Sequence, residues 1–228
     1  MNEMEISEQG LLKEADVQPP VVHPAIKALG IFFSYLFHPL LLIVWVSLYL
    51  LYVNNTIFLG LDSFDKTKVL LRIISTSVLL PMITVLLLKG LGFIQSIQLH
   101  TQRERIIPYV ACITFFFWSY YVARQLNDPL PLKAFLLTLF VSASAALIMN
   151  NYFKVSMHAM GAGSVFAFFI LLLFNGQIDN GLPITLAVFV AGITCTSRLI
   201  AGRHHPFDIG FGFVIGFLLQ LICWWITA

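Results

Sequence analysis

The chain has 228 residues, of which 59% are hydrophobic and 11% charged, with a mean hydropathy of +0.88. A soluble domain of this length cannot hide so much apolar surface, so the composition points to an integral membrane protein. Thirteen basic residues against eleven acidic ones leave a formal charge of +2, which gives no basic footprint for nucleic acid.

Met1 to Gln18 is polar and acidic and lacks the basic-then-apolar order of a cleavable signal peptide. Residues 1–28 read as a polar tail, with Pro19, Pro20 and Pro24 stiffening its approach to the bilayer. A hydrocarbon core about 30 Å thick asks for about 17 to 25 residues of helix. Ile31 to Val53 meets that length in one run and is expected to lie at the periphery of the bundle. Val69 to Leu88 follows, with Pro81 as a kink and Arg72 near enough to one end to snorkel. Ile106 to Ala123 opens with Pro108 in its first turn, where a missing N–H costs little. Ala134 to Met149, Ala159 to Phe174 and Leu182 to Thr196 are shorter, and Phe207 to Thr227 closes a set of seven spans. The expected fold class is therefore all-α, an integral membrane helical bundle over residues 29–228.

Small residues suggest where these helices approach closely. Ala143 to Ala146, Gly161 and Gly163, and Gly210, Gly212 and Gly216 would let backbones come together, which is how packing is gained in lipid. Cys112, Cys195 and Cys223 sit in apolar runs without zinc or disulfide spacing and read as small buried hydrophobes. No internal repeat is present to suggest an inverted-repeat transporter.

Two polar islands interrupt the apolar second half: Lys154 to His158, and Ser197 to Asp208. Alternating spans place both on one membrane face, together with Arg103 and Arg105. His204 and Asp208 are four residues apart with Pro206 between them, so the carboxylate can reach an imidazole nitrogen. It would fix the tautomer and leave the other nitrogen a better nucleophile. Arg198 offers a planar fork for phosphate oxygens, and Arg203 another. His158 is placed to give a proton to a leaving oxygen, with Ser156 and Lys154 as further donors. That set describes phosphoryl transfer in two steps through a phosphohistidine. Arg, Lys and backbone N–H groups can neutralise the developing charge, so no metal or cofactor is expected. Interfacial Lys, Arg and His also simply solvate helix ends, and for Lys154 or Arg203 alone that bland role is equally good. His205 reads as structural, and His23, His38 and His100 as surface or interface residues.

The second island resembles the third signature of the type 2 phosphatidic acid phosphatase superfamily, S-R-x5-H-x3-D, at Ser197, Arg198, His204 and Asp208. The first island is similar to the second signature, P-S-G-H, but keeps only Ser156 and His158 of it. The first signature, K-x6-R-P, is poorly met: with Pro108 as its proline, His100 and Ile107 stand in the basic positions, and Arg103 and Arg105 lie nearby. The resemblance spans about residues 70–226. It implies a haloperoxidase-like helical core with His204 as nucleophile, Asp208 orienting it, His158 as general acid, and Arg198, Ser197 and Ser156 binding phosphate. Lys154, Arg203, Arg103 and Arg105 are candidates for the missing donors, with Arg105 preferred over Arg103. The expected partners are the bilayer itself and a phosphorylated lipid, in a bacterial cytoplasmic membrane. The alternatives are a catalytically silent member of the fold that binds or senses a lipid phosphate and, behind it, a transporter. Against a transporter, all eleven acidic residues lie outside the apolar cores.

Overall fold

The computed structural model describes residues 22–54, 56–94, 102–152, 155–202 and 204–228, except for the side chains of residues 102 and 103. It is all-helical, with no strand among the described residues. Among the described residues, six helices are long and apolar enough to cross a membrane, and a bent pair near the start can make a seventh span. The protein is an integral membrane protein.

The bent pair corrects the expectation of one straight peripheral span from Ile31 to Val53. Helix α1 covers Pro24–Leu36, and α2 covers Pro39–Leu48 before running into a π-helical turn at Tyr49–Val53. Between α1 and α2 the axis turns by 61°. Pro39 explains the break: it lacks an N–H, and its ring drives the preceding residue out of the helical region. His38 is accordingly extended, at φ −61° and ψ 140°, and its Nδ1 accepts the Leu40 N–H at 3.3 Å. Nor is the α2 part of this segment peripheral. Ile43, Leu50 and Leu51 on α2 and its π-turn are completely buried in the main hydrophobic core, with Phe135, Phe168 and Leu172.

Helices α3 (Ser63–Ile74) and α4 (Leu80–Gly90) form one continuous span joined by a π-helical turn at Ser75–Leu79. That turn lies just before Pro81, so the steric conflict between the proline ring and the preceding turn is absorbed by local widening. Arg72 does not snorkel. It donates to Asp128, in the connection after the next helix, and so ties two hairpins together. Thr76 and Ser77 both donate to Ser119 Oγ, at 3.0 and 2.9 Å, and extend that polar seam.

The rest of the bundle consists of α5 (Gln102–Gln125), α6 (Leu130–Met149), α7 (Met157–Phe174), α8 (Leu182–Ile200) and α9 (Pro206–Thr227). The closest approach is between α7 and α9. A Cβ on Gly216 would collide with the Met160 carbonyl, and one on Gly163 with the Phe213 carbonyl. Gly212 faces the Ser156 carbonyl, where a Cβ would stand 2.9 Å away. Ser164 Oγ donates across the same contact to Gly216 O at 3.0 Å. Gly161 admits Leu42 of α2, whereas Gly210 faces open space and has no packing role. Close backbone contact between α7 and α9 brings the two polar islands to one end of the bundle. At the other end, Asn54 Nδ2 donates to Gln177 O at 2.7 Å and fastens the end of α2 to the α7–α8 connection.

Candidate active site

The second island is a helix stop followed at once by a helix start. Ser197 and Arg198 occupy the last turn of α8, and Gly202 reverses the chain at φ +65°, a conformation that costs glycine little. His205 is the N-cap of α9 and Pro206 its first residue. Asp208 Oδ2 accepts the His205 N–H at 3.0 Å, and the His205 side chain accepts in return from the Asp208 backbone. His205 is thus a capping residue. The same Asp208 oxygen stands 3.9 Å from His204 Nδ1, at ion-pair range beyond a hydrogen bond. His204 is buried and Arg198 half-buried.

The first island packs directly on the second. Ser156 N–H donates to the Asp208 carbonyl at 3.4 Å. Ser156 is completely buried, and its Oγ caps α7 by accepting the Ala159 N–H at 3.4 Å. Two residues later, His158 Nε2 lies 3.1 Å from the Ser34 carbonyl oxygen of α1. A carbonyl only accepts, so Nε2 carries the hydrogen, and Nδ1 is the nitrogen left for proton exchange. The His38 ring stands edge-on to His158, with centroids 5.2 Å apart and planes at 89°. Arg198, His38 and His204 are all close enough to His158 to act on it electrostatically, and Arg198 acts on His38 as well.

The structure therefore gathers His158, His204, Asp208, Arg198, Ser197 and Ser156 at one end of the bundle. Ser156 is committed to capping, and Ser197 is buried within α8. Arg105 is buried near the start of α5, where its Nη1 donates to Asn150 Oδ1 at 3.3 Å. That bond joins α5 to the C-cap of α6, next to the first island. Lys154, Arg203 and the Arg103 side chain lie outside the described residues. Among the described residues, no three His, Cys, Asp or Glu side chains gather as metal ligands.

Sequence reasoning missed Ser34, His38 and Asn150. A backbone carbonyl leaves no trace in sequence, but His38 did leave one. His23-Pro24, His38-Pro39 and His205-Pro206 are three copies of one helix-start unit, each a histidine N-cap followed by proline. Read that way, Pro39 ends the first helix and His38 stands at a corner.

These features define a class: a helical membrane protein with a histidine, arginine and carboxylate cluster at one end of its bundle. Residues 149–228 match the model of the PAP2 superfamily. Proteins of that superfamily are generally phosphatases. No curated protein and no solved structure matches the chain. The matched residues contain α7, α8, α9 and both islands, whereas α1, α2 and α5 lie outside them. So does the poorly met first signature around His100 and Ile107.

Proposed function

We propose that the protein is a phosphatase for a membrane lipid phosphate or diphosphate, working through a phosphohistidine on His204. The observation that carries this reading is the packing of the two islands, with Asp208 beside His204 and its carbonyl bonded to the N-cap of the His158 helix. With Asp208 facing Nδ1, His204 Nε2 is the nitrogen that attacks phosphorus, and the P–O bond to the lipid breaks. His158, protonated at Nδ1, gives that proton to the leaving oxygen. Water then attacks the phosphohistidine and loses its proton to the same Nδ1, and the P–N bond breaks to release phosphate. Asp208 steadies the positive charge on the phosphorylated imidazole. The Arg198 fork binds the non-bridging oxygens, whose charge grows in the transition state.

The position of the site at the ends of membrane spans supports a lipid substrate, whose headgroup arrives by lateral diffusion. The composition supports the same view, since apolar helices account for most of the described chain. The test is phosphate release from short-chain lipid phosphates by purified protein in EDTA. Release supports the reading. Binding without release would make the protein a lipid-phosphate sensor on a phosphatase fold.

A further inference from the structure

We propose that His38, which lies outside the matched domain, is a third histidine of the phosphate site and donates from Nε2–H to the phosphoryl oxygens. This rests on the phosphatase reading above and adds a substrate-binding group to it.

Three observations support the assignment. First, the tautomer is set by local structure: Nδ1 accepts the Leu40 N–H, so in the neutral ring the hydrogen is on Nε2 and that nitrogen is a donor. Second, the ring is placed at the site, against His158 and within electrostatic reach of Arg198. On this proposal, an oxyanion held by Arg198 beside His158 meets the His38 ring on a further side. Third, capping alone does not account for this placement. His23 makes the same 3.3 Å Nδ1 cap on α1 while exposed to solvent, whereas His38 is carried inward by a corner that also bonds His158 through Ser34.

The inference also fills a gap in the site. Its first signature lacks the usual basic pair, and Arg105, a candidate substitute, donates to Asn150. A neutral imidazole N–H can supply one of the missing hydrogen bonds without adding another cation beside Arg198. Preorganised donors of this kind matter most as charge builds on the phosphoryl oxygens.

His38→Asn separates capping from substrate contact. Asparagine is a good N-cap and can still accept the Leu40 N–H, but it is too short to put a donor where Nε2 stands. We expect His38→Asn to keep the parent's thermal unfolding and to lower kcat/KM on a short-chain lipid phosphate about 10²-fold. His23→Asn, the same change at the exposed cap, is expected to leave kcat/KM unchanged. Parent-like turnover in His38→Asn, alongside an inactive His204→Ala, would overturn the assignment while leaving the phosphatase reading intact. An inactive parent would instead sink the phosphatase reading, and orthovanadate binding would then decide the role of His38. Weaker binding by His38→Asn than by the parent would support a donor at this position. Equal binding, or none by the parent, would rule it out.

Discussion

His204 and His158 are held in opposite ways. His204 is served from its own stretch of chain: Asp208 lies four residues on, and the same carboxylate caps the helix that follows. His158 is served from far away, by a backbone carbonyl 124 residues earlier in sequence and by a ring from the same corner of α1 and α2. One support survives as long as α9 starts correctly. The other depends on α1 staying packed against α8. On the proposed mechanism, a short motif specifies the nucleophile, while the proton donor needs the bundle to be assembled around it.

Altering the local support should have the largest effect. His204→Ala is expected to lower turnover about 10⁴-fold or more, because the proposed covalent intermediate forms on His204. His205→Ala removes only a cap and should cost about 1 kcal/mol of stability while retaining most activity. Rates and unfolding midpoints measured together distinguish the two, and equal loss of rate at 204 and 205 would contradict the assignment. Asp208→Asn keeps an acceptor for the His205 N–H, so the fold should persist. Losing the charge beside His204 should still lower kcat about 10⁴-fold, by analogy with other orienting carboxylates.

The remote support should respond more gently. A Cβ on Gly30 would lie 2.9 Å from Ile200 Cγ2, so Gly30→Leu pushes α1 away from α8. That shift loosens the Ser34 carbonyl from His158, and kcat is expected to fall about 10-fold, the smaller end of the effect of an outer support. A loss as large as that of Asp208→Asn would mean that α1 contributes more than orientation. The far end of the bundle should matter least to chemistry. Asp128→Ala strands Arg72 in a partly buried seam and should cost about 3 kcal/mol of stability. Its kcat/KM per folded molecule should stay within about twofold of the parent.

The contrast between local and remote supports also marks what could be read from the sequence. Span lengths, the close α7–α9 contact through Gly163, Gly212 and Gly216, and the grouping of the islands on one face all follow from local patterns. The corner at His38-Pro39 was legible too, because proline inside an apolar run ends a helix whatever the hydropathy around it. Hydropathy alone hid it. The Ser34 carbonyl was not legible, since any residue there presents the same oxygen. Arg72 illustrates a different limit: an arginine near a helix end reads as snorkelling until tertiary structure supplies its carboxylate, and Asp128 lies in a different hairpin. Arg105 is preferred on the sequence for its place just before Pro108, and its bond to Asn150 had no sequence signal, since a neutral residue in another helix supplies it.

The central claim is that His204 carries the phosphoryl group. Purified protein mixed with a lipid phosphate labelled on phosphorus, quenched within milliseconds in alkali and digested, should yield a phosphopeptide containing His204. The label should be stable in base and lost in acid, as a phosphoramidate is, and His204→Ala should give none. Phosphate release with no labelled histidine, or label on His158 or His205 instead, would contradict the account.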